Sequence, residues 1–211
     1  MRECIPLYID AAGVTVLVAF FGVLGSLLVG FLLSVVRFFK VPVLSNVSGI
    51  YIELARNTPL IVQLYFIYYG LPKVGIRFSS LTTAIIGLVF LGSAYMAESF
   101  RSAFEVISKD QSEAASALGM SRIKVMLLII LPQSLPVAVP SLTANTIFLV
   151  KETSVVSIVA LMDLMNLAKD IIALYYKTNE ALFMLVVAYA LILLPISLFA
   201  HFVEKRVKYA H

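Results

Sequence analysis

The chain has 211 residues, 61% of them hydrophobic and only 13% charged, with a mean hydropathy of +1.01. A water-soluble domain of this length has no use for so much apolar surface, so the bilayer is the expected solvent. The net charge of +4 is modest and informs through its placement. Cys4 is the single cysteine, which excludes an intrachain disulfide and a cysteine-based metal site. His201 and His211 stand alone, so no metal site is expected.

Five spans are predicted in chain order. The first covers residues 11 to 36, about 39 Å as a helix, and ends at Arg37 and Lys40. It follows acidic Glu3 and Asp10 and exceeds the core of a signal peptide, so it reads as a retained helix. The second covers 49 to 70 and is interrupted by Glu53, Arg56, Asn57 and Pro59; Gly70, Pro72 and Gly75 make the turn after it. The third covers 79 to 100. Residues 101 to 125 are polar. The fourth region, 125 to 162, carries Pro132, Pro136, Pro140 and the pair Lys151-Glu152. Because proline removes a backbone donor, it is expected to divide into a short interfacial helix, a span and a further broken helix. Asp163 to Glu180 reads as a polar loop, and the fifth span covers 181 to 203.

Charge sets the expected orientation. The 37–48 loop, the 101–125 loop and the C-terminus hold nine cations: Arg37, Lys40, Arg101, Lys109, Arg122, Lys124, Lys205, Arg206 and Lys208. The opposite side holds five: Arg2, Lys73, Arg77, Lys169 and Lys177. The richer side is expected in the cytoplasm, with the N-terminus outside. No internal repeat is visible, so the two-half symmetry common in secondary carriers lacks support.

Three sets of ionisable residues interrupt the apolar sequence. Such residues within spans are expensive and usually face a cavity or a partner. Glu53, Arg56 and Asn57 sit at i, i+3 and i+4 on one helix face. They read either as a polar ligand site or as a self-satisfied Glu53–Arg56 pair. Pro59 is expected to free a carbonyl near Ala55. Glu98 and Arg101 repeat the Glu-x-x-Arg spacing near the end of the third span, where a structural pair within the helix is the simpler reading. Lys151, Glu152, Thr153 and Ser154 follow a long uncharged stretch, at a break of the kind that holds polar ligands near a membrane midplane. An interfacial loop is the alternative. The candidate substrate-binding residues are therefore Glu53, Arg56, Asn57, Glu98, Lys151, Glu152 and Ser154. No Gly-rich loop with Lys-Ser/Thr is present, so the chain is not expected to hydrolyse ATP itself.

The most specific pattern lies in the polar stretch, EAASALGMSRIKVMLLIILP from Glu113 to Pro132. Ala114, Ala117 and Leu118 fall at i, i+3 and i+4, giving a small apolar helix face suited to a partner's groove. Gly119 permits a conformation other residues resist. The spacing resembles the EAA motif of permease subunits of binding-protein-dependent ABC transporters. Its positions are Glu113, Ala114, Ala115, Gly119, Ile129, Leu131 and Pro132. The stretches ELARNTPLIVQLYFIYYGLP (53 to 72), AYMAESFRSAF (94 to 104), EAASALG through LPQSLPVAVPSL (113 to 142) and KETSVVSIV (151 to 159) are likewise similar to polar amino acid permeases of that type. Similar permeases often carry Gly at the position of Asn57 and Asp at that of Glu152.

The resemblance implies an all-α bundle of five transmembrane helices forming one permease domain over 1–211. It also implies a cytoplasmic coupling helix at about 112–120 that carries Glu113, Ala114, Ala115, Leu118 and Gly119. It implies two ATP-binding partner subunits that hold ATP and Mg, a second permease subunit, an identical one being favoured, and an extracytoplasmic amino-acid-binding protein. No cofactor is expected in this chain. The expected location is the inner or plasma membrane of a prokaryote, and the expected function is ATP-driven import of polar amino acids. A basic amino acid is preferred, because Glu152 or Glu53 can meet a cationic group while Arg56 or Lys151 meets the carboxylate. The alternatives are glutamine or another polar amino acid, an ion-driven secondary carrier, and a membrane scaffold that recruits a soluble protein.

Overall fold

The computed structural model describes residues 5–208, and all of their side chains except those of Lys109 and Lys208. Arg2, Glu3, Cys4 and His211 lie outside the described residues. The described chain is helical, with no strand. Four helical runs are long and apolar enough to cross a membrane: Ile5–Phe38, Ser80–Glu105, Arg122–Val159 and Thr178–Val207. The first is α1, the second α4, and the last belongs to α9 (Thr178–Lys208).

The centre of the bundle is α1 packed along α4. The buried face of α1 carries Ala11, Thr15, Gly22, Ser26, Gly30 and Ser34, mostly four residues apart. Lipid removes the hydrophobic drive for helix pairing, so close backbone approach through small residues takes its place. Ser26 donates both to Gly22 O of its own helix (2.7 Å) and to Leu88 O of α4 (3.3 Å). Gly92 marks the tightest point. A Cβ there would overlap Ser26 Oγ and stand 2.6 Å from Leu149 Cδ1, where α1, α4 and the fourth run meet. Val18, Leu88, Met96, Phe104, Leu149 and Val156 fill the surrounding core. The outer surfaces of α1 and α9 expose Phe20, Leu28, Phe183, Val186, Leu191 and Leu198, as expected of surfaces solvated by lipid or by a neighbouring subunit.

The second expected span is divided. α2 (Leu44–Arg56) stops at Asn57, and α3 (Leu60–Tyr65) begins after Pro59, continuing through a π turn (Phe66–Gly70) and a 3-10 turn (Leu71–Val74). Neither part alone is a membrane-length helix. The carbonyl expected to be left free is instead taken. Buried Gln63 donates through Nε2 to Ala55 O at 2.9 Å and to Thr58 O at 3.0 Å, sealing the break with its own side chain.

The fourth region departs in the opposite direction. The prolines do not divide it, and one helical run extends from Arg122 to Val159. It comprises α6 (Arg122–Val125), a π turn (Met126–Ile130), α7 (Leu131–Glu152) and a 3-10 turn (Thr153–Val159). The wide π turn precedes Pro132 and gives its ring room, and polar side chains bond carbonyls in the same stretch. Gln133 donates to Ile129 O at 2.9 Å and Ser134 to Leu131 O at 3.3 Å. Local π adjustment and such side-chain bonds are how membrane helices tolerate proline. The expected polar loop after it also contains a helix, α8 (Leu164–Tyr175), capped by Asp163.

Candidate functional site: an exposed lever and a polar seam

The short helix α5 (Lys109–Ala117) follows α4 and starts earlier than expected, because Ser108 caps it, accepting from Asp110 N at 3.2 Å. It ends at Ala117. Gly119 has φ +80°, Gly119 N donates to Ser116 O at 3.0 Å, and Met120 N donates to Ala115 O at 3.1 Å. This is a Schellman ending, in which a left-handed residue satisfies the last carbonyls. Nothing lies within 4 Å of the place a Gly119 Cβ would occupy, so glycine is needed for conformation, with no close neighbour in this chain. Ala115 is buried against the bundle, whereas Glu113, Ala114, Ala117 and Leu118 are exposed, Leu118 to 84%. A leucine that open on a polar helix is a ready anchor for a partner surface. Gln133 Nε2 donates to Gln111 Oε1 at 2.8 Å, tying α5 to the start of α7.

Within the bundle, a polar seam joins α4 and α7. Ser99 and Ser141 hydroxyls share a hydrogen bond of 2.6 Å. Asn145 Nδ2 donates to Ser99 Oγ at 2.8 Å and to Tyr95 O at 3.3 Å. The Tyr95 ring meets Phe148 with centroids 5.3 Å apart, and the Arg56 guanidinium lies 5.4 Å from the Tyr95 ring centre. Residues 141, 145, 148 and 152 fall at i, i+4, i+7 and i+11, one stripe of a helix. The seam therefore runs from Arg56 on α2 to the level of Glu152. Sequence reading missed Ser99, Ser141 and Asn145. The available signal was polar residues four apart in two apolar helices.

The expected site residues do not form one cluster. Arg56 turns to Tyr95 and makes no ion pair with Glu53. Glu53 instead accepts from Asn57 Nδ2 at 3.1 Å, and Asn57 also donates to Glu53 O, closing the C-terminus of α2. Glu98 faces α1. It is held by Arg37 Nη1 at 2.7 Å and Arg101 Nη2 at 2.8 Å, while Arg101 reaches Glu105 at 2.6 Å. Both carboxylate oxygens of Glu98 are thus engaged by this chain. Lys151 is exposed and Glu152 half-buried at the end of α7. The ion pairs among the described residues are the three just given, so Lys151 and Glu152 do not neutralise each other. Ser154 donates back to Lys151 O at 2.9 Å.

Asp163 is a further buried acid. It is fully buried at the N-terminus of α8. Its Oδ1 accepts from Asn166 N at 2.9 Å, and its Oδ2 has no partner. Burial pushes its carboxyl up from the ordinary 3.8 to about 6, against the opposing pull of backbone N–H groups and Lys169. Lys169 donates to Ser157 Oγ at 2.8 Å.

Comparison with known proteins bears on this arrangement. Residues 12–209 match the family model described as "Binding-protein-dependent transport system inner membrane component". The probable amino-acid ABC transporter permease protein YckA of Bacillus subtilis is 34% identical over 209 residues, 99% of this chain and 92% of that protein. The glutamine transport system permease protein GlnP of Escherichia coli K12 is 32% identical over 206 residues, 97% of this chain and 94% of that one. Among solved structures, one described as an amino acid ABC transporter with histidines superposes with a TM-score of 0.87 at 30% identity, over 98% of this chain and 96% of that chain. An inward-facing methionine ABC transporter, MetNI, shares the fold at 21% identity and a TM-score of 0.77. The chain, with its multi-pass apolar helices, belongs to the family of binding-protein-dependent transport system inner membrane components.

Proposed function

We propose that this chain is the membrane-spanning subunit of an ATP-driven importer of polar amino acids. The observation that carries the reading is α5, a helix between two membrane-length helices that buries Ala115 against the bundle and presents Ala114, Ala117 and Leu118 outward. That face docks in a groove of an ATP-binding subunit, which binds ATP and Mg. Two such subunits serve two permease chains, here a homodimer, and an extracytoplasmic binding protein delivers the amino acid. α2 and α3 together supply a fifth crossing, with the break sealed by Gln63. The N-terminus lies outside and the C-terminus in the cytoplasm of a prokaryotic cell, following the nine-to-five cation split.

Movement of the ATPases shifts α5 as a short lever. Gln111 passes the shift to Gln133 and so to α7, whose far end carries Glu152. The substrate sits beside the polar seam. A buried charge needs a partner, so Arg56 meets the carboxylate and Glu152, which has no ion pair among the described residues, meets a cationic group. This favours arginine or lysine. Glutamine is the second reading, favoured by the names of relatives such as the Escherichia coli permease. The test is reconstitution with the co-purifying ATPase in liposomes and measurement of ATP-dependent uptake of labelled arginine, lysine and glutamine. Uptake that follows an ion gradient without ATP, or failure to retain any ATPase, overturns the reading. Glutamine uptake without arginine or lysine uptake overturns the basic preference alone.

A further inference from the structure

A second cavity lies away from the seam. Where α1 and α4 end and α2 begins, a groove of about 710 Å³ is lined by the cations Arg37, Lys40 and Arg101, by Glu105, and by apolar residues including Phe38 and Pro42. Its charge is unbalanced. Glu98 and Glu105 engage Arg37 and Arg101, but no carboxylate among the described residues lies within 4.0 Å of Lys40 Nζ. The connecting turn holds Lys40 at φ +47° and β-branched Val43 at φ +67°, a conformation rare for residues other than glycine. The groove sits at the ends of membrane-length apolar helices, where a bilayer places its headgroups. A soluble anion needs the cations alone. A lipid phosphodiester uses both kinds of lining, its charge meeting the basic residues and its first methylenes the apolar ones.

We propose that this groove binds the phosphodiester headgroup of an acidic membrane phospholipid, with Lys40 as the principal contact and Arg37 and Arg101 sharing the charge. The inference depends on the membrane location of the chain and is independent of which amino acid is carried. Each basic residue near an anionic headgroup strengthens binding by an amount equal to roughly a fivefold change in affinity.

The test uses the permease purified with its ATPase in detergent, titrated with phosphatidylglycerol, phosphatidylcholine or inorganic phosphate, and read by native mass spectrometry. The expected result is one phosphatidylglycerol per permease chain, held more tightly than phosphatidylcholine and not displaced by inorganic phosphate. Lys40→Gln should weaken it roughly five- to tenfold, and Lys40→Arg should restore it. The wild-type lipid preference decides the matter even should a variant misfold. Equal retention of the two lipids, displacement by inorganic phosphate, or an unchanged Lys40→Gln affinity overturns the proposal. So does a Lys40→Gln variant that loses its ATPase while keeping its lipid, since the groove then belongs to that partner.

Discussion

Gln111 on α5 and Gln133 on α7 are joined by a 2.8 Å hydrogen bond, and Gln133 also bonds Ile129 O in the π turn at 2.9 Å. One side chain thus bridges the exposed lever and the wide turn of the proline-bearing helix. Gln133→Leu removes the bridge without burying a lone polar group, since Gln111 is exposed. Thermal stability should change by no more than about 0.5 kcal/mol. A lost bond of about 0.5–1.5 kcal/mol should lower amino acid transported per ATP hydrolysed by roughly two- to tenfold. Paired uptake and phosphate-release assays measure the ratio, and an unchanged ratio removes this bond from the coupling route.

Gly119 ends the lever at φ +80° with open space around it. Gly119→Val forces a β-branched residue into the left-handed region, at roughly 1–2 kcal/mol. Co-purification with the ATPase should fall sharply. Gly119→Asn, which tolerates that conformation, should retain most of it. Equal losses in both variants, measured by pull-down from membranes, would mean that contact area rather than backbone conformation decides the site.

Glu152 is half-buried at the end of α7, with no ion-pair partner among the described residues. Glu152→Gln keeps the volume and removes a charge-assisted contact worth roughly 1.5–3 kcal/mol. Arginine and lysine affinity in the reconstituted transporter should drop about 10- to 150-fold, with assembly and basal ATPase activity retained. Unchanged uptake of every amino acid moves the search to Arg56 and the Tyr95 ring.

Asp163 has its pKa raised to about 6 from an ordinary 3.8. A raised acid pKa means that the folded state holds the proton more tightly than the unfolded state. Its contribution is therefore full below about 3.8 and is lost as pH rises through about 6. Asp163→Asn keeps a good helix cap and cannot ionise. Stability in detergent, followed by melting temperature, should fall between pH 4 and pH 7 for the wild type by on the order of 1–3 kcal/mol, and fall less for the variant. Parallel curves would show that Asp163 stays charged.

Orientation is open to labelling. In a Cys4→Ser background, Val106→Cys, in the exposed connection after α4, should resist an impermeant thiol reagent in intact cells. Tyr176→Cys, on the exposed turn between α8 and α9, should react. The reverse pattern inverts the topology.

Four of the five expected spans, a short helix near 112–120 and the glycine that ends it were legible in the chain, because each is a local property. Apolar length sets a membrane helix, and a small face followed by glycine sets a short helix and its stop. The cut at Asn57–Pro59 was also legible. What the sequence could not decide was where freed or charged groups find partners. Gln63 lies eight positions from the carbonyl it seals at Ala55. Glu98 is clamped by Arg37 from another helix as well as by the neighbouring Arg101. Asn145 and Ser99 meet only because α4 and α7 pack side by side. Proline at 132, 136 and 140 suggested breaks, yet one helical run persists, with a π turn just before Pro132. In lipid every polar group must be satisfied from within the protein. The sequence alone determined which segments are apolar enough for the membrane; only the tertiary structure decided which polar residues are consumed there, that Glu152 has no ion pair among the described residues, and that apolar Leu118 stands exposed.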